Sequence, residues 1–190
     1  MKMIGIATKK RVLLQLAMLI VATGFYSVTQ AQVDNITVQL ALDANQTKLL
    51  ATTVGSCQKA NHKGCVNVKK DRKARIHYVL KGNTNCNKPG GKKWKLGDVY
   101  LGGKNSANKP GVWGNLDQEV RADFNVADAA SGRLNGEAGS NDQQIIISDQ
   151  NKYKYDIWYK VTANCVDSDG KVKATIETDP RIENDGTTAP

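Results

Sequence analysis

Lys152-Tyr-Lys-Tyr-Asp-Ile-Trp-Tyr-Lys-Val-Thr-Ala-Asn-Cys165 is the stretch on which the fold turns. Tyr153, Tyr155, Ile157, Tyr159, Val161, Ala163 and Cys165 share one parity, while Lys154, Asp156, Trp158 and Lys160 hold the other. A period of two belongs to an extended strand, whose successive side chains point to opposite faces. The pattern therefore predicts one long strand with a core face that includes Cys165. Just beyond it, Asp167-Ser168-Asp169-Gly170 has the residues of a tight turn, and Val172, Ala174 and Ile176 resume the alternation, so a β-hairpin is expected.

The same period recurs upstream. Ile36, Val38, Leu40 and Leu42 mark one strand, and Ala74, Ile76, Tyr78 and Leu80 another, with Lys73, Arg75 and His77 on its opposite face. Val120, Ala122, Phe124 and Val126 read as a further strand. Weaker runs lie at Lys48–Val54, Cys65–Lys69, Trp94–Leu101 with a bulge at Gly97-Asp98, and Gln144–Ser148. About eight or nine short strands, each apolar on one face, bury those faces most economically against one another. The expected fold is all-β, an antiparallel two-sheet β-sandwich, loosely similar in architecture to immunoglobulin-like modules.

Residues 1–31 read differently. Lys2, Lys9, Lys10 and Arg11 precede an apolar run from Val12 to about Ala22, and Thr29-Gln30-Ala31 closes it with small residues. This is the pattern of a cleaved secretory signal, with a mature start at Gln32. The run is far shorter than the roughly 20 residues of a membrane-spanning helix, so no transmembrane anchor is expected after cleavage. Residues 32–178 are expected to form a single domain and 179–190 a partly disordered tail anchored by Ile182. The chain carries 27 Lys and Arg against 18 Asp and Glu. Four of those bases lie in the signal, leaving 23 against 18 in the mature part, a net charge of +5.

Cys57, Cys65, Cys86 and Cys165 all lie in the mature part. An even count in an exported chain favours two disulfides. Of the three possible pairings, Cys57 with Cys65 and Cys86 with Cys165 are favoured, the first closing a short loop and the second joining distant strands. Zinc is the rival for Cys57-x4-His62-x2-Cys65, but that spacing is not a standard finger and export favours oxidation.

Charge is polarised along the chain. Between Cys57 and Lys95, twelve bases face one acid, Asp71, whereas Leu96–Pro190 holds ten bases and fifteen acids. If the bases share a surface, Lys69, Lys70, Arg72, Lys73, Arg75, Lys92 and Lys93 are the candidate contacts for an anionic polysaccharide or an acidic protein. Nucleic acid is not expected, because export separates it from the chain. Trp158, on the polar parity of its strand, and Trp113, in a loop, are the candidate aromatic contacts, while Trp94 reads as core.

Signals for catalysis are weak. His62 and His77 are the only histidines, and no nucleophile elbow, Walker loop or zincin motif occurs. A carboxylate pair such as Glu119 with Asp123 is the material for a hydrolase only if the fold makes it converge. All three methionines lie in the signal, which removes the axial ligand of a blue copper site. Asp167-x-Asp169-Gly170 lacks the later acids of an EF-hand. No metal or cofactor is expected. The resulting expectation is a non-catalytic, exported binding module, with a self-associating envelope subunit as the alternative.

Overall fold

Alternation in the sequence becomes alternation in burial. The computed structural model describes residues 32–53, 57, 63–103, 113–178 and 181–186. The expected signal at 1–31, His62 and residues 187–190 lie outside the described residues. The elements run β1 (Val33–Leu42), β2 (Leu49–Ala51), β3 (Val66–Val68), β4 (Lys73–Leu80), β5 (Lys93–Leu101), α1 (Gln118–Asp123), β6 (Val126–Asp128), β7 (Arg133–Leu134), β8 (Gln144–Asp149), β9 (Lys154–Val166), β10 (Val172–Thr178) and β11 (Arg181–Asp185). All belong to one unit, Ala31–Pro190.

The protein is an all-β sandwich. One sheet has the order β2-β1-β4-β8, and the larger one β3-β11-β9-β5-β7-β6, with β10 also on β9. Val38, Leu40, Ala74, Ile76, Tyr78 and Leu80 from the first sheet share a buried core with Trp94, Leu101, Tyr155, Ile157, Tyr159, Val161, Ala163 and Cys165 from the second. Tyr153 falls just outside β9 and is 42% exposed, so the core face of that strand starts at Tyr155. Lys93–Leu101 contains the expected bulge, its register on β9 shifting between Leu96 and Val99.

Pairing is not antiparallel throughout. β1 runs parallel to β4, with Val33 opposite Lys73 and Leu40 opposite Leu80, and β3 runs parallel to β11. A parallel neighbour needs a long crossover. Between β1 and β4 the chain supplies one by passing through β3, which belongs to the other sheet.

Three expectations change. Val120–Val126 is not a strand: Gln118–Asp123 forms helix α1, and only Val126–Asp128 is extended. Val120 and Phe124 are both buried, and their spacing of four residues satisfies a helical face as well as a strand face. The boundary at 178 is also displaced. β10 and β11 follow one edge of β9 in a single register, Thr178 opposite Val161 and Arg181 opposite Trp158. Ile182 is fully buried, and the segment read as a tail separates β9 from β3 inside the sheet. Finally, the strand count rises to eleven among the described residues, because β6, β7 and β11 were not recognisable.

Both favoured disulfides are present, Cys57–Cys65 and Cys86–Cys165, each with Cα atoms 5.9 Å apart. Such pairing suits an oxidising, extracytoplasmic setting. No helix among the described residues is long and apolar enough to cross a membrane.

Candidate functional site

The outward parity of β9 carries Asp156, Trp158, Lys160, Thr162 and Asn164, and the strands on either side add to this face. Tyr100 of β5 lies opposite Lys160, Arg133 of β7 opposite Tyr100, and Glu177 of β10 opposite Thr162. Directly opposed residues share a face of the sheet. Lys160 is the centre of the group: its Nζ lies 5.1 Å from the ring centroids of both Tyr100 and Trp113 and 3.0 Å from Glu177 Oε2. An ammonium over aromatic faces is attracted by the ring quadrupole. Trp113, distant in sequence, is thereby brought to the face that carries Trp158. Tyr100 and Lys160 belong to the site and escaped the sequence reading, because neither stands out without knowledge of which strand lies beside β9.

Next to this face the edge of β5 opens. Leu96 N–H donates to Asp142 O and Tyr100 pairs with Arg133, but the bulge between them leaves no regular partner. A cleft of about 290 Å³ occupies the gap, lined by Leu96, Val99, Leu134 and Ile145 below and by Asp98, Ser140, Asn141 and Asp142 at the rim. The four apolar residues are buried. Asp142 Oδ2 is 2.9 Å from Lys95 Nζ, and Asp98 Oδ1 is 3.8 Å from Arg133 Nη1. Tyr100 O–H donates to Asp98 Oδ2 at 3.4 Å, linking cleft and aromatic face. Partial burial and the neighbouring Asp98 carboxylate push the Tyr100 phenol up.

The basic residues do not form one surface. Lys69 and Arg72 carbonyls accept hydrogen bonds from Asn151 Nδ2, which places their turn where β9 begins. Lys93 lies opposite Val166, and Lys92 N–H donates to Val166 O, where β9 ends. The thirteen residues of β9 put roughly 40 Å between the two groups, at about 3.3 Å per residue. Arg72 pairs with Asp34 at 3.1 Å and Arg75 with Glu137 at 3.4 Å. Lys69 and Lys70 are exposed and Lys73 is half-buried, and among the described residues these three have no carboxylate partner.

The carboxylates separate as well. Glu119 and Asp123 both lie on α1, and Asp123 is buried, its Oδ1 accepting from Lys152 N–H at 2.7 Å and its Oδ2 from the Tyr155 hydroxyl at 2.8 Å. Asp149, at the end of β8, is fully buried, and burial is the main cause that pushes its carboxyl up to about 7. This group is sealed in the core, whereas the carboxylates at the cleft are tied to Lys95 and Arg133. A carboxyl that keeps its proton and an open cleft, which a carboxylate hydrolase needs together, thus occur in different places. Asp167 serves its hairpin: Oδ1 accepts from Asp169 and Lys171 N–H, and Oδ2 meets Lys173 Nζ at 2.8 Å, a contact that leads in holding this carboxyl below its ordinary range.

Comparison with known protein families and with curated proteins matches neither a family nor a relative. The class to which the chain can be assigned is defined by the fold alone: a β-sandwich cross-linked by two disulfides.

Proposed function

We propose that the mature chain is an exported, non-catalytic module that binds a polysaccharide of the cell envelope or its surroundings through the outer face of the larger sheet. The observation that carries this reading is the convergence of Tyr100, Trp113 and Lys160, from three separate segments, beside an open cleft. Half-buried aromatic rings with a fixed cation and hydrogen-bonding neighbours offer flat contact area at low entropic cost. Loops and bulges on a rigid sandwich are where binding groups usually reside.

A second reading keeps the anionic polysaccharide or acidic protein as partner. It rests on Lys69, Lys70 and Lys73, three bases at one end of the sandwich without carboxylate partners among the described residues. Its affinity would fall as salt rises, since the attraction is long-range and screened.

One experiment separates the two. The purified mature protein is passed over neutral polysaccharides (amylose, cellulose and chitin) and over dextran sulfate at increasing salt. Wild type is compared with Tyr100→Ala/Trp113→Ala and with Lys69→Ser/Lys70→Ser/Lys73→Ser. Retention on a neutral polymer, insensitive to salt and lost in the aromatic variant, is the expected result. Retention on dextran sulfate alone, lost with salt and in the lysine variant, transfers the function to the basic end. Retention on none of the four overturns both.

A further inference from the structure

We infer that the cleft beside the β5 bulge seats a single uncharged sugar ring, making it the specificity pocket of the polysaccharide-binding face on which this inference rests. The bulge is built into the chain. At Gly97 a Cβ would lie 2.5 Å from Thr162 Oγ1 and 2.7 Å from Asn164 Nδ2, so a larger residue here would have to displace the Thr162 hydroxyl from its bonds to Asp98 and turn the Asn164 amide aside. Thr162 Oγ1 receives Asp98 N–H at 2.8 Å and donates to Asp98 O at 3.2 Å, fixing both edges of the bulge. What would be a ladder becomes an open gap with an apolar floor.

The rim decides the ligand class. Its two carboxylates are each compensated, Asp142 by Lys95 and Asp98 by Arg133. The border therefore carries no net charge, yet it presents acceptors and donors side by side. A polyanion would meet the Asp98 and Asp142 carboxylates, and an amine would have to displace Lys95 or Arg133. A ligand whose groups both donate and accept satisfies such a rim without breaking either pair, and hydroxyls are those groups. Ser140 completes the set: its Oγ accepts Ile146 N–H at 3.0 Å, which leaves the hydroxyl hydrogen to donate. The floor of Val99, Leu134 and Ile145 matches the C–H face of a ring. A volume of about 290 Å³ is at the lower end of the roughly 300–1,000 Å³ of small-molecule sites, room for one ring but not for a drug-sized ligand. Tyr100, bonded to Asp98, then continues the path from the cleft to Lys160 and Trp113, where adjoining residues of a chain would lie.

The test is a titration of the ¹⁵N-labelled mature protein with glucose, galactose and N-acetylglucosamine, each to about 100 mM, enough to saturate a site with a Kd of ~1 mM. Amide shifts at Gly97, Asp98, Ser140 and Asn141 that saturate for at least one sugar are expected. Asp142→Ala should weaken that response about fivefold or more, the share of one hydrogen bond. Its side chain is exposed, so the variant keeps its fold, which the rest of the same spectrum verifies. Cleft amides unmoved by all three sugars, or moved equally in the variant, overturn the pocket. In that event, shifts confined to Tyr100, Trp113 and Trp158 leave the binding face standing without it. A protein that responds nowhere and is retained on no neutral polymer overturns the face as well.

Discussion

Asn184 of β11 donates its Nδ2 hydrogen to Asp149 Oδ1 of β8 at 3.2 Å, a buried bond that fastens the last strand of one sheet to the last strand of the other. Asn151 reinforces the joint, accepting Gly186 N–H on Oδ1 and donating to the Lys69 and Arg72 carbonyls. Asp149 Oδ2 and Asn184 Oδ1 have no hydrogen-bond partner among the described residues. Because these are two acceptors in a buried place, a proton on Asp149 relieves the joint.

That proton makes stability depend on pH. The Asp149 carboxyl is pushed up to about 7 in the fold, against about 3.9 for an unfolded Asp. Between those values the native state holds a proton that the unfolded chain has released. Its contribution is complete below about pH 4 and is lost as pH rises through about 7, with a slope of at most about 1.4 kcal/mol per pH unit. Asp43, Asp128 and Asp167, whose carboxyls are held low by backbone and side-chain hydrogen bonds, act in the opposite direction and only at the acid end. Asp149→Asn removes the titration and supplies a donor in place of Oδ2. Thermal melts should show the variant above wild type at pH 8, with the gap closing toward pH 4.5. A gap that does not change with pH would separate Asp149 from the effect.

Removal of β11 should cost more than trimming a tail would. A chain ending at Thr178 loses Ile182, fully buried, and Asn184, and leaves β3 without its partner strand. Even the single change Ile182→Ala should cost about 2–5 kcal/mol, the usual range for such a core truncation. A chain of this size loses about 2–4 °C of Tm per kcal/mol. Calorimetry on Ile182→Ala reads this directly, and a Tm within error of wild type would return the segment to a dispensable role.

The two disulfides should differ in weight. Cys86–Cys165 closes 79 residues of chain and Cys57–Cys65 closes 8. In the chain-entropy account the longer loop contributes about 4 kcal/mol and the shorter less than about 3 kcal/mol. Paired Cys→Ser variants measured by denaturant unfolding should therefore rank with Cys86/Cys165 as the more damaging loss. Equal losses would mean that local packing, not loop closure, sets the contribution.

What the sequence made legible is what strict alternation records. Residues of β1, β4 and β9 announce their faces because a buried sheet face tolerates few polar side chains, and the position of Cys165 on the core parity of β9 made its long-range pairing readable. α1 was hidden because Val120 and Phe124 fit two periods at once. β11 was hidden because Asn184, a buried polar residue held by Asp149, breaks the apolar signal of a strand. The basic cluster is a different case: bases close in sequence share a surface only where the chain keeps them together, and here it crosses the sandwich between Lys73 and Lys92. The converse applies to Trp113 and Lys160, which are far apart in sequence and 5.1 Å apart in the fold.

Lys160 offers the cleanest separation of structure from binding. Its contacts with Tyr100, Trp113 and Glu177 lie near the surface, its side chain 17% exposed and that of Glu177 48%. Surface ion pairs are worth about 0–1 kcal/mol and exposed cation–π contacts about 0.5–1 kcal/mol. Lys160→Met keeps the stem that packs against the rings and removes only the charge. Its Tm should fall by no more than a few degrees, about 2–4 °C per kcal/mol, while Trp113 loses the cation that orders its ring. Retention on a neutral polysaccharide should then weaken in a protein that is still folded, as far-ultraviolet circular dichroism would verify. If retention is unchanged with Trp113 intact, Lys160 only props the face, and the contact belongs to the rings alone.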